Sequence, residues 1–388
     1  MKRLVITAFL LLLTCCAQAR NAQVFTTSPS NASKIDPKVD HYVIIFEGGW
    51  ISQKDSILRT ILTNNSKLVA EADGTTTFFD QNQLKTSTIF NDTDIGHTLD
   101  RAWGGSHILI TDSLPADTKT NIKANATIFS DDRLKGIVSA FSSNPLPAGL
   151  TAQPYVAYAA LADSIMSALL NPTNPEMPFV MQVDVSPQGT FNEFYVIGIV
   201  SNKDHSDTTL AAMTDSTKLT YDETSSRLSY NSNSVTDHSW AVFKVEKAAS
   251  PNIAQLTLNS TAPWAVLAVN NFYFPTLPDL SNASDVAKQD KSSVNQLQSV
   301  LALLQKEPRF SQFDRAAALS TFAQQAKQII DAACTAGHVA SADCATPQID
   351  LFVSNIGSLF GLTPSQHQNA LTTGQQANQS LRTRLRSQ

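Results

Sequence analysis

Asn121-Ile122-Lys123-Ala124-Asn125-Ala126-Thr127-Ile128 sets an apolar residue at every second position. Side chains of a strand point alternately to its two faces, so a period of two predicts a β-strand with one buried face. This stretch decides the class of the first half of the chain. Before it, Tyr42-Val43-Ile44-Ile45-Phe46 is a β-branched and aromatic run that ends at the breaker pair Gly48-Gly49. Residues 75–79, 87–90 and 107–111 read as further short strands between turns rich in Asp, Asn and Gly. Residues 56–69 fit neither period cleanly: Ile57, Leu58, Ile61 and Leu62 have helical spacing, whereas Thr60, Thr63 and Asn64-Asn65 favour strand and turn. Short strands with frequent turns predict an antiparallel β-sandwich.

Past the alternating stretch, two helices are expected to accompany the strands. Ser130 is a good N-cap for residues 131–141, where Leu134, Ile137, Val138 and Phe141 share a face. Residues 155–170 have helical spacing and stop at Asn171-Pro172-Thr173-Asn174-Pro175. A second, smaller β-rich region follows. Residues 179–185, 194–200 and 240–245 read as strands, and residues 218–221 and 227–230 as the arms of a hairpin. Its extent suits an immunoglobulin-like size, without the cysteine pair of antibody domains. The aromatic stretch holding Trp264, Phe272, Tyr273 and Phe274 is expected to pack between domains.

From Ser281 the period changes to that of amphipathic helices. Leu297, Val300, Leu301 and Leu304 form one apolar face, and Phe313, Ala317, Leu319, Phe322, Ala326, Ile329 and Ile330 a second. Ile349, Phe352, Val353, Ile356 and Phe360 form a third, with residues 365–386 a weaker fourth. A C-terminal all-α helical bundle is predicted. The fold class is therefore α+β and multidomain: residues 40–175 a β-sandwich domain with helices, 176–278 the small β-rich domain, 279–388 the bundle.

At the other end, Lys2 and Arg3 precede an apolar run from Leu4 to Leu13, and Ala17-Gln18-Ala19 offers small residues at a cleavage site. Such a three-part pattern predicts a secretory signal peptide over residues 1–19, too short to be a membrane anchor. The mature chain then starts at Arg20, in the periplasm or outside the cell, with residues 20–39 a flexible linker and no transmembrane segment. Lipidation at Cys15 or Cys16 is the competing reading, but Thr14 and Cys15 are not the small residues expected before a lipid-modified cysteine.

Composition agrees with export. Charged residues are 16% of the chain, against ~25% in an average domain. The 28 basic residues fall short of the 33 acidic ones, and the only basic cluster is Arg382, Arg384 and Arg386. That balance argues against nucleic acid as a partner, because phosphate neutralisation needs grouped Lys and Arg. Cys334 and Cys344 are the only cysteines beyond the leader and are expected to form a disulfide. Closing so short a loop is worth ~2–3 kcal/mol on the chain-entropy account. His338 inside it leaves a zinc site one ligand short.

Candidate chemistry is sparse. Gly104-Gly105-Ser106-His107 has the look of a nucleophile turn, but no Gly occupies position 108 and His107 opens a strand. Asp92-Thr93-Asp94, with Asp80 gathered from a neighbouring loop, is a candidate calcium site. A helix-loop-helix calcium loop is excluded there, since Gly96 is fifth from Asp92 rather than sixth, and Trp103 stands where the closing Glu belongs. Trp50 and Trp103, each beside a Gly-Gly pair, are candidates for stacking on a glycan ring. The Asp-His dipeptides at 40–41, 204–205 and 237–238 point their two side chains to opposite faces of a strand and make no dyad alone. No cofactor motif is present. The expectation is a non-enzymatic binding or assembly protein of the bacterial cell envelope, acting on an envelope protein or surface ligand. A hydrolase whose Asp, His and Ser residues come together only in the fold, or a calcium- or glycan-dependent adhesion module, is the alternative.

Overall fold

The computed structural model describes residues 22–28, 34–52, 66–77, 83–92, 101–103, 107–130, 176–187, 193–200, 210, 213, 215–274 and 278–386. Among them it has antiparallel β-sheets and six α-helices, with the helices gathered toward the C-terminus. The class is α+β. The chain divides into a β unit, built mainly of residues 43–112 and 118–247, and a helical unit of Ile35–Tyr42, Ser113–Asp117 and Ala248–Gln388.

In the β unit, the alternating stretch lies in β8 (Lys119–Ser130), with Ile122, Ala124 and Ala126 fully buried. It sits between β3 (Ser66–Thr77) and β9 (Glu176–Val185), and β3 also pairs with β4 (Gln83–Asp92), all antiparallel. This four-stranded sheet runs β4-β3-β8-β9. A second sheet runs β1-β10-β14-β2-β5, through β1 (Gln23–Thr27), β10 (Glu193–Ile199), β14 (Trp240–Ala248), β2 (His41–Ile51) and β5 (Arg101–Trp103), with β6 (Ile108–Leu109) and β7 (Leu114–Pro115) also on β2. Strands from both sides of residue 176 thus share sheets: β8 pairs with β9, and β14 lies beside β2. Length of apolar run separates the two kinds of strand. β8 alternates, whereas β14 is buried continuously from Trp240 to Phe243, as a strand covered on both faces should be.

The sheets approach each other closely where side chains are smallest. A Cβ at Gly198 in β10 would stand 2.6 Å from the Met181 sulfur of β9, so glycine there makes room for the methionine. A second core collects Phe25, Ile197, Ile199, Leu228, Trp240 and Val242, beneath a three-stranded sheet of β11 (Leu219–Asp222), β12 (Arg227–Tyr230) and β13 (Asn233–Ser234). The expected hairpin is β11 and β12, antiparallel with Leu219 opposite Tyr230. Within the stretch expected to be a flexible linker, β1 pairs along its whole length with β10. Only Phe25 of its five residues is buried, too little for a period to register.

The helical unit contains α1 (Ile253–Asn259), α2 (Pro263–Phe272), α3 (Ala283–Leu304), α4 (Gln312–Ala336), α5 (Pro347–Leu359) and α6 (Pro364–Arg386). The four expected amphipathic faces are α3 to α6, and they close on one core with Leu297, Phe322, Ile330, Ile349 and Leu381. Trp264 and Phe272 belong to that core, within this unit; Phe274 is exposed. Ser311 and Asp314 form a capping box at the start of α4. The start of α5 is capped from another helix: Asp290 of α3, wholly buried, accepts from the amides of Gln348 (2.8 Å) and Ile349 (3.0 Å). Cys334 and Cys344 are disulfide-bonded between α4 and α5, with Cα atoms 6.3 Å apart. The two helices expected over residues 131–141 and 155–170 lie outside the described residues. Among the described residues, no helix is long and apolar enough to cross a membrane.

Candidate functional site

A carboxylate in the middle of an apolar strand is costly, and β2 holds one. Tyr42, Ile44 and Phe46 are buried, and Glu47 beside them is 0% exposed. Burial of an ionised carboxyl without partners costs far more than any single apolar contact returns, so a cation or a proton must be near. His107 meets that need. Ile108 of β6 lies opposite Phe46, so the residue before it falls opposite Glu47. His107 takes a left-handed backbone (φ 59°), which histidine tolerates better than most residues. Its Nδ1 comes 3.1 Å from Glu47 Oε1. Neither carboxylate oxygen of Glu47 has a hydrogen bond of good geometry among the described residues, so the pairing is chiefly electrostatic.

The two partners differ sharply in access. The imidazole is 55% exposed and the carboxyl 0%. Burial raises the pKa of Glu47, with Glu223 adding to the rise and His107 and Lys244 opposing it. Immediately beyond, Gly48 has φ 141°, a backbone that favours glycine, and the Tyr221 hydroxyl donates to the Glu47 carbonyl oxygen at 2.8 Å.

Charged residues of β10, β14 and the β11–β12 turn surround this pair. Glu193 lies directly opposite Glu246, a like-charge cross-strand pair that would destabilise the sheet on its own. Lys244 resolves it by reaching Glu223 (2.9 Å), Glu246 (3.1 Å) and Glu193 (3.6 Å). Burial works against the Lys244 charge, but these carboxylates outweigh it and raise its pKa. The Tyr195 hydroxyl donates to Glu223 (2.6 Å) and Glu193 (3.2 Å). Burial and those acceptors lift its pKa, while the same hydroxyl and Lys244 lower that of Glu223. Tyr221 is pushed up to about 12, chiefly by burial. Its ring is tilted against Tyr195, centroids 6.0 Å apart. The result is an acidic, tyrosine-lined cluster with one lysine at its centre and an exposed imidazole at its edge.

Comparison with protein-family models, with curated proteins and with solved structures finds no match to this chain. The site is therefore read on its chemistry alone.

The residues singled out from sequence fall elsewhere. Asp80 and Asp94 lie outside the described residues, and Asp92 ends β4 with its side chain undescribed. Among the described residues no group of three or more His, Cys, Asp and Glu is placed to hold a metal ion. Trp50 is partly buried against the core under the three-stranded sheet, and its indole N–H donates to the Thr236 carbonyl at 3.2 Å. Trp103 is placed only by its backbone, where it faces Gly49. The strands that carry the two tryptophans are therefore neighbours, with Trp50 opposite Ala102. Asp204, His205 and Ser106 lie outside the described residues.

The pair of Glu47 and His107 is not marked by any motif in the sequence, where the two stand 60 residues apart. Its one signal was the charge that follows Val43-Ile44-Ile45-Phe46 without a turn between.

The helical unit has a polar centre of a different kind. His41 is fully buried, with Nε2 3.1 Å from Asp314 Oδ2 and 3.2 Å from the Arg309 carbonyl oxygen. Both neighbours are acceptors, so Nε2 carries a proton. The same Asp314 oxygen accepts from the Ser311 amide (2.9 Å) and hydroxyl (2.7 Å). Serine, aspartate and histidine meet here with the carboxylate in the middle. That order cannot pass a proton from serine to histidine, so the cluster serves as a helix cap. Nearby, a half-open cavity of about 320 Å³ is lined by Asn252, Phe313, Asp314, Thr373, Gln376 and Ser380, among others.

Proposed function

We propose that this is an exported binding protein of the bacterial cell envelope, and that its β unit receives a cationic segment of a partner at the acidic cluster. The observation that carries the reading is the imbalance of charge around Lys244. Three carboxylates, from Glu193, Glu223 and Glu246, share one ammonium group while keeping part of their surface open to solvent. Lys244 is largely covered, and the carboxylates face outward around it. A lysine or arginine side chain arriving there finds acceptors already held in place, so little ordering entropy is lost on binding. The tyrosine rings beside them give such a cation an aromatic surface as well.

The leader at residues 1–19 supports export. In this reading the four- and seven-stranded sheets are the faces of a β-sandwich, and the cluster is presented on the second of them.

The test is affinity capture from the envelope fraction with the chain lacking residues 1–19, tagged at the C-terminus. A Glu193→Gln, Glu223→Gln double variant is run beside it. A stoichiometric partner retained by the parent, released by spermidine and salt, and lost in the variant supports the reading. A partner held equally by both, or none at all, sinks it.

A further inference from the structure

We infer that His107 is a general base for the hydrolysis of small uncharged or cationic esters, with Glu47 as its positioning residue. This goes beyond cation binding and stands on the geometry of the pair alone. A buried carboxylate facing Nδ1 favours the tautomer with its proton on that nitrogen, because a lone pair there would meet negative charge. The other ring nitrogen, Nε2, is then the basic one. With the imidazole 55% exposed and Nδ1 turned to a carboxyl that is 0% exposed, the free edge of the ring is open to water and to small substrates. Glu47 is held by strand pairing on both sides of it, through Phe46 with Ile108 and Gly49 with Trp103. The ring therefore has a buried carboxylate 3.1 Å from one edge, an electrostatic rather than a hydrogen-bonded partner, and a basic nitrogen at the other.

The chemistry balances without a cofactor. His107 Nε2 takes a proton from water as the water oxygen bonds to the acyl carbon, and the carbonyl π electrons move to oxygen. Glu47 stabilises the imidazolium so formed. When the tetrahedral species collapses, the acyl–oxygen bond breaks and the alkoxide leaves with the proton from Nε2. The products are a carboxylic acid and an alcohol. Substrate charge is set by the surroundings: Glu193, Glu223 and Glu246 outnumber Lys244, so anionic esters are repelled and uncharged or cationic ones admitted.

The test uses the full mature chain with p-nitrophenyl acetate, acetylcholine and the anionic ester mono-p-nitrophenyl succinate. The expected result is hydrolysis of the first two, at least tenfold above His107→Gln, with little hydrolysis of the anionic ester. The rate should rise with pH, as expected of a general base. Glu47→Gln should lower kcat and change that pH dependence, which a merely structural role would not do. Equal rates for parent and His107→Gln overturn the inference. So does a flat profile in the parent, which decides the matter even if His107→Gln fails to fold. Failure of cation capture with ester hydrolysis intact removes the proposed function and leaves this inference standing; the reverse pattern removes only this one.

Discussion

At the scale of single residues, the chain places charge where burial is expensive, and Glu47 is the sharpest case. Its pKa is raised mainly by burial, so the folded state binds the proton more tightly than the unfolded chain does. A raised carboxyl contributes stability below its unfolded value, and that contribution is lost as pH climbs through the folded one. Glutamine at the same place has no charge to bury. Glu47→Gln is therefore expected to match the parent at low pH and to exceed it as pH rises. Urea unfolding at a series of pH values checks it, and a gap that closes with rising pH would contradict the assignment. Stability and the ester activity should move in opposite directions in this one variant, as is common where a site holds a group in an unfavourable setting.

Elements show a second kind of economy, in which a helix end is completed by a side chain far away in sequence. The N-cap of α5 is Thr346, which makes no capping bond. Asp290 of α3 supplies two acceptor contacts in its place. Removing it takes the acceptor from two amide groups, that of Ile349 buried, so Asp290→Ala should cost about 2 kcal/mol. Asp290→Asn keeps one acceptor oxygen and should lose about half of that. Midpoints of urea unfolding for the pair decide this, and equal values for alanine and parent would show the cap to be idle.

This element scale also explains what the sequence made legible. Ile122, Ala124 and Ala126 in β8, or Leu297, Val300 and Leu304 in α3, repeat with the period of their own backbone, so neighbouring residues suffice to read them. The register that sets His107 against Glu47, and the 58-residue gap between Asp290 and Gln348, depend on pairing between distant segments. No local period records either. β1 was hidden for a related reason: its pairing is made of main-chain bonds to β10, and main-chain bonds leave no mark on composition.

For the whole molecule, the cysteines connect the address of the protein to its stability. Beyond the leader the chain has only Cys334 and Cys344, and they are joined between α4 and α5. Loop-closure entropy assigns such a bridge about 3 kcal/mol, through restriction of the unfolded chain. A bond of that kind persists mainly where thiols are not kept reduced, which is the environment we propose for this chain from the pattern of residues 1–19. Protein made without the leader in a reducing cytoplasm should therefore carry two free thiols. It should unfold at lower urea than protein recovered after export, and air oxidation should restore the difference. Cys334→Ala with Cys344→Ala should resemble the reduced form and be indifferent to reductant. Thiol titration beside the urea midpoints reads both quantities on one sample. Mass spectrometry of the exported protein should find Arg20 at its amino end. If the exported chain still begins at Met1, or if reduction leaves the midpoint unchanged, the link between compartment and stability fails.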